Sequence, residues 1–175
     1  MVPRPVVGEV RPGSSNDIPS ETLLKVTAHL RIMPAVYKEG MGKDQSYGII
    51  IFRETSDGRQ YLVLTKKSGT DFPKGHAEVG ENPEETARRE TKEEAGLDDI
   101  ELIPGYHEDI HYILSQRGHK VFKTVTYFLG RAHSGKVKVS HEHKGYKWCS
   151  PEQAIRLVRF PEQKALIRKA QTMLR

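Results

Sequence analysis

The sequence predicts an α+β sandwich, a mixed sheet held between helices, on three observations. Short apolar, β-branched runs stand on both sides of one strongly signalled helix, and two proline-opened helices close the chain. At 175 residues the chain is long enough for one well-buried domain. The opening stretch from Met1 to about Ser20 reads as a tail, because Pro3, Pro5, Pro12 and Pro19 forbid regular structure. Glu21–Tyr37 is more apolar and is interrupted by Pro34, and its periodicity fits either a strand packed on the domain or a short helix. Residues 1–44 are therefore expected to form an N-terminal extension, and residues 45–175 the domain proper.

Tyr47–Phe52 (YGIIIF) is a continuous apolar run, as expected of a buried strand, and Asp57-Gly58 turns it into a partner at Gln60–Thr65. Lys66–Pro73 reads as a loop. A helix should start at Pro83, with Asn82 as N-cap, Glu85 as its capping-box partner and Gly96 as the C-terminal stop. Ile100–Ile103 is a candidate short strand. Tyr106–Leu114 and Val121–Gly130 alternate as a long hairpin about Gln116-Arg117-Gly118, and Lys136–Ser140 and Tyr146–Cys149 are further candidate strands. Pro151 and Pro161 each occupy the favoured first turn of a helix.

The central helix carries the chemistry. At ~100° per residue, Glu90, Glu93 and Glu94 fall within about a third of its circumference. Carboxylates gathered on one face repel one another unless a cation lies between them, and hard oxygen donors suit magnesium or manganese, not zinc. The competing reading is a solvated face laced by i,i+4 pairs, Glu84–Arg88, Glu85–Arg89 and Arg89–Glu93. Elsewhere, Lys74 and His76 in FPKGH are placed to meet phosphate oxygens. His141-Glu142-His143 offers either an H-x-H zinc pair, with no third soft ligand at a suitable spacing, or a carboxylate from a separate loop that completes a magnesium site or accepts a proton. Lys120 and Lys123 share one hairpin strand, and Tyr112, Tyr127 and Tyr146 are candidates either to stack on bases or to pack within the sheet.

Composition sets wider bounds. The net charge of +5 suits an anionic substrate without demanding nucleic acid. One cysteine, Cys149, excludes an internal disulfide and fits a reducing, cytoplasmic setting. No apolar run approaches a membrane span, and the proline-rich start lacks the apolar core of a signal peptide.

The full pattern favours the metal reading: glycine at 75, five residues, Glu81, seven residues, then Arg89-Glu90-Thr91-Lys92-Glu93-Glu94-Ala95-Gly96-Leu97. This resembles the Nudix box, G-x5-E-x7-R-E-U-x-E-E-x-G-U, departing from it only at Thr91, where an aliphatic residue is commoner. The resemblance implies a Nudix-type α/β/α sandwich with a mixed sheet, in which a loop–helix–loop holds divalent cations on a pyrophosphate. It implies Mg2+ or Mn2+ as cofactor, Glu90 and Glu94 as main metal ligands with Gly75 in the same set, Glu93 as ligand or water-orienting group, and Arg89 as the residue that positions the glutamates.

A narrower resemblance spans roughly Gly48 to the C-terminus. FPKGH, Ser140-His141-Glu142-His143, Tyr146-x-Trp148 and the PEQA helix are similar to asymmetrical diadenosine tetraphosphate hydrolases. It implies hydrolysis of a dinucleoside polyphosphate to a nucleoside triphosphate and a monophosphate, with Glu142 near the metal site and Lys123, Tyr112 and Tyr146 on phosphates and adenine. Other expectations remain open at this level: pyrophosphate removal from RNA 5′ ends, hydrolysis of other nucleoside diphosphate derivatives, and a non-catalytic nucleotide or RNA sensor. An intact Glu90, Glu93 and Glu94 set argues against the sensor.

Overall fold

The computed structural model describes residues 41–133 and 135–175; the expectations for the tail and for Glu21–Tyr37 lie outside the described residues. In chain order the elements are β1 Gly42–Thr55, β2 Gly58–Lys66, β3 Gly69–Asp71, β4 Lys74–Gly75, α1 Pro83–Ala95, β5 Ile100–Gln116, β6 His119–Ala132, β7 Gly145–Cys149, α2 Pro151–Leu157 and α3 Pro161–Met173. One seven-stranded sheet runs in the order β3-β2-β1-β6-β5, with β4 pairing β1 and β7 pairing β2. β1 and β6 are parallel, from Gly42↔Val121 to Phe52↔Arg131, and the remaining pairings are antiparallel. The sheet is mixed, as expected.

The centre of β1, Ile49–Phe52, is continuously apolar because both of its faces are covered there. Ile49 and Ile51 join Leu62 and Leu64 of β2 against Ala87 and Ala95 of α1. Ile50 and Phe52 point the other way with Tyr61 and Val63, onto Ala154, Val158, Leu166, Ile167 and Ala170 around α2 and α3. Full burial of one such side chain contributes about 1.5–3 kcal/mol. This two-sided packing makes the sandwich and fixes the height of α1 over the sheet.

Several expectations need correction. The β1 strand begins at Gly42, ahead of Gln45. The stretch after Lys66 holds two short strands, β3 and β4, because it doubles back along β2 and then crosses to β1. Ile100–Ile103 is the start of one long strand, β5, which carries an irregularity between Leu102 and His107 where Pro104 and Gly105 interrupt the pairing. Lys136–Ser140 is not a strand. Its amides go to the C-terminal carbonyls of α1 instead, Lys138 N–H donating to the Ala95 carbonyl (2.9 Å) and Ser140 N–H to that of Glu94 (3.2 Å).

The helix itself follows expectation. Asn82 Oδ1 accepts from Glu85 N–H at 3.0 Å, Glu85 reaches back to Asn82 N–H at 2.9 Å, and Gly96 ends the helix at φ 70° in the left-handed region. The one departure from the box pattern also has a physical reading. Thr91 is fully buried and its Oγ1 has no hydrogen-bond partner among the described residues, so this position is core, which is why an aliphatic side chain suits it. Thr91→Val keeps the shape and removes an unsatisfied hydroxyl, and is expected to raise stability by about 1 kcal/mol. A denaturant titration checks this, and a lower midpoint in the variant would mean that the hydroxyl is bonded in solution.

Candidate active site

The capped start of α1 aims its glutamates at the loop that enters it, and Arg89 ties the two together. All five N–H groups of its guanidinium are used. Nε and Nη2 donate to the two Glu81 oxygens (2.7 and 3.0 Å), Nη2 also donates to the His76 carbonyl (2.8 Å), and Nη1 donates to Glu90 Oε1 (2.9 Å) and Glu93 Oε2 (3.2 Å). This fork holds the Glu81 carboxyl down at about 2, with further help from the Glu78 amide and the Thr86 hydroxyl. Of the pairs in the solvated-face reading, only Arg89–Glu93 forms among the described residues; Arg88 donates to the Ile100 carbonyl (2.8 Å).

Glycine at position 75 leaves room for the Glu90 carboxylate, since a Cβ there would stand 2.0 Å from Glu90 Cδ and displace it. Glu94 is buried, with Oε2 accepting from the Lys74 backbone N–H (2.9 Å) and Oε1 from Lys66 Nζ (3.3 Å). Burial raises both carboxyls, most directly because a desolvated carboxylate is unfavourable; at Glu90 the neighbouring Glu94 and Glu93 add repulsion that Arg89 partly offsets. Among the described residues no three acidic or imidazole groups converge on one point. Each of the three glutamates is instead drawn to an arginine, or to a lysine and an amide. The donor set is nevertheless all hard oxygen, desolvated and mutually repelling at Glu90, which fits a magnesium- or manganese-type cation.

These side chains line a cleft of about 560 Å³ together with Ser46, Lys74, His76, Tyr112, Lys123 and Glu142. On its far wall Lys123, almost fully buried, donates to Asp44 Oδ1 (2.8 Å) and Ser46 Oγ (2.6 Å), and His76 Nε2 lies 2.6 Å from the same Asp44 oxygen. Burial alone would raise Asp44, but its bonds to Lys123 and His76 outweigh that and lower it. Burial lowers Lys123, and Asp44 restores only part of the loss. Lys74 shows the opposite balance: burial pulls it down, yet Asp71, 2.8 Å away, leaves it raised.

The structure separates the two histidines of the H-x-H run. His141 is exposed. His143 is buried, with Nδ1 3.1 Å from Ser140 Oγ and Nε2 3.7 Å from Glu94 Oε1. Burial, then the Lys66 charge, pushes its pKa down to about 4, so it is neutral at pH 7. Glu142 between them opens into the cleft. Tyr112 also lines the cleft and lies parallel to Phe160, ring centroids 6.2 Å apart and planes 8° apart. Tyr146 is 40% exposed on β7 and is not part of the cleft lining, Tyr127 is fully buried core, and Lys120 is exposed beside the hairpin turn. Sequence reasoning missed Lys66, Asp44, Ser46 and Phe160. For Asp44 the signal is absent from the sequence, since it faces Lys123 only through the parallel β1–β6 register.

A sandwich of this topology, with an arginine-braced loop–helix closing an acidic cleft, is that of a hydrolase, and the chain belongs to the NUDIX domain family, whose profile matches residues 42–170. It is similar to the asymmetrical bis(5'-nucleosyl)-tetraphosphatase of Mus musculus, 33% identical over 140 residues covering 73% of this chain and 92% of that protein. The protein of the same name from Caenorhabditis elegans is 34% identical over 131 residues, covering 73% of this chain and 94% of its own. Among solved structures, a binary complex of a C. elegans Ap4A hydrolase matches with a TM-score of 0.68 and 31% identity, over 75% of this chain and 97% of that one.

The Arg89–Glu81 fork carries a pH signature. A carboxyl whose folded pKa is depressed contributes stability above its unfolded value and loses it as pH falls through the folded one. The stability difference between the wild type and Glu81→Gln should therefore be full above about pH 4.5 and shrink towards pH 2, over the span from the ordinary to the depressed value. Chemical denaturation at a series of pH values measures this, and a pH-independent difference would mean that the fork does not form in solution.

Proposed function

We propose that this chain hydrolyses diadenosine tetraphosphate and related dinucleoside polyphosphates asymmetrically, to a nucleoside triphosphate and a monophosphate, with magnesium or manganese as cofactor and in a cytoplasmic setting. The observation that carries the reading is one cleft in which Glu90, Glu93, Glu94 and Glu142 face Lys66, Lys74 and Lys123. The names of the relatives supply the substrate class. No helix among the described residues is long and apolar enough to cross a membrane, and Cys149 is buried and free.

Glu90, Glu94 and Glu93, with the backbone at Gly75, are the groups that would hold the cation. When bound, it neutralises polyphosphate charge and makes water a better nucleophile. Lys74, His76 and Lys123 bind the remaining phosphate oxygens and keep the reacting phosphorus in line with the attacking water. The water oxygen bonds to phosphorus as the bridging P–O bond breaks, and its proton goes to Glu93 or Glu142. Glu142, exposed in the cleft and free of hydrogen bonds to described residues, is the less encumbered of the two. Arg89 keeps Glu90 and Glu93 aimed at this point. Tyr112, backed by Phe160, offers an aromatic plane to one adenine, worth ~1–3 kcal/mol per stacked base.

Glu90→Gln and Glu94→Gln should each lower turnover by about a hundredfold or more, the scale of one strong transition-state contact. Near-normal rates at saturating magnesium would remove both from the metal site. After EDTA treatment, activity should return with magnesium or manganese; recovery with zinc alone would restore the H-x-H alternative. Tyr112→Ala should raise KM for diadenosine tetraphosphate about tenfold, while Tyr146→Ala, outside the cleft, should change it less. A product profile over diadenosine polyphosphates, nucleoside triphosphates and 5′-triphosphorylated RNA decides the substrate. ATP plus AMP from diadenosine tetraphosphate supports the reading, whereas two ADP, or preference for the RNA, overturns it.

A further inference from the structure

We propose that Asp44 is a positioning residue that clamps Lys123 and His76 into a single phosphate-binding pair, with Ser46 as the lysine's second acceptor. The proposal rests on the assignment of Lys123 and His76 to the polyphosphate. Asp44 and Lys123 are register partners on the parallel strands β1 and β6, so the backbone holds them side by side. The Lys123 ammonium has three protons. Two are taken, by Asp44 Oδ1 at 2.8 Å and Ser46 Oγ at 2.6 Å.

The same Asp44 oxygen lies 2.6 Å from His76 Nε2, which is itself 3.0 Å from Lys123 Nζ. Two acceptors do not approach to such a distance without a proton between them. Nε2 therefore carries the hydrogen and donates it to Asp44, and its lone pair is not available to the lysine. The third ammonium proton is then left for an oxygen of the substrate. His76 gains orientation from the same bond: its side chain is 67% exposed, and among the described residues its one side-chain hydrogen bond to an acceptor is the one to Asp44. With Asp44 removed, the lysine would lose one of two restraints and the imidazole its ring orientation. Neither Asp44 nor Ser46 needs to touch the substrate for this.

The experiment compares Asp44→Ala with Asp44→Asn, which keeps an acceptor oxygen and discards the charge. Asp44→Ala is expected to lower kcat/KM for diadenosine tetraphosphate about tenfold or more, the scale of lost alignment, and Asp44→Asn to recover most of it. In proton–nitrogen correlation spectra of the imidazole side chains, His76 should be the Nε2-protonated tautomer in the wild type and in Asp44→Asn, and a mixture of tautomers in Asp44→Ala. Added to a Lys123→Ala, His76→Ala background, Asp44→Ala should cost nothing further, because it acts only through those two. Unchanged kcat/KM with an unchanged His76 spectrum in Asp44→Ala overturns the proposal. So does an undiminished loss in the doubly substituted background. The spectra need no substrate, so a wild type that failed to cut diadenosine tetraphosphate would sink the substrate reading while this test still stood.

Discussion

The contact on which the site depends is the guanidinium of Arg89. Its five donors reach Glu81, Glu90, Glu93 and the His76 carbonyl, so one planar group joins the loop before α1 to three carboxylates on or beside it. A lysine has three donors around a point and cannot span these acceptors in one plane. The fork compensates charge that would otherwise drive Glu90, Glu93 and Glu94 apart, and it fixes the loop whose backbone at Gly75 meets Glu90. The capping box, the C-terminal glycine and the buried alanines hold α1 at the height at which this brace can close.

Around that brace, anions and cations are interleaved. Lys66 stands on Glu94, Asp71 on Lys74 and Asp44 on Lys123. Most of the charged groups lining the cleft therefore have a direction set by a partner, Glu142 excepted. An arriving polyphosphate meets donors already oriented, which keeps the reorganisation needed at the moment of reaction small. His143 belongs to the same arrangement: neutral and buried, it fills the space beside Glu94 without adding charge to it.

How much of this could be read from residues alone depends on the range of the interaction. The α1 helix was legible to the residue, because its caps and its carboxylate spacing are local, and so were the Asp57-Gly58 and Arg117-Gly118 turns. The gathering of Glu90, Glu93 and Glu94 on the cleft followed from the same periodicity. The misses are long-range. Lys136–Ser140 has the composition of a strand but hydrogen-bonds the end of a helix some forty residues earlier. Asp44 is an ordinary polar residue until the parallel register sets it against Lys123, 79 residues away. Phe160 precedes a proline and reads as a helix boundary; only packing brings it flat against Tyr112. Two of the three solvated-face pairs, Glu84–Arg88 and Glu85–Arg89, failed for a related reason, since Arg88 reached the Ile100 carbonyl and Arg89 reached Glu81 and the His76 carbonyl.

The parallel pairing of β1 with β6 has a consequence for how the molecule comes to exist. A parallel neighbour cannot be reached by a tight turn, so the chain from β2 through β5 must be in hand before the two strands meet. Closing so long a loop costs entropy before any contact rewards it, and non-local pairing of this kind slows folding. The acidic helix carries its caps within its own sequence, so its start and stop signals do not depend on that step. On dilution from denaturant, helical signal should therefore return ahead of enzymatic competence: the carboxylate side of the cleft is written in neighbouring residues, and the Asp44–Lys123 side is assembled from strands far apart in the chain.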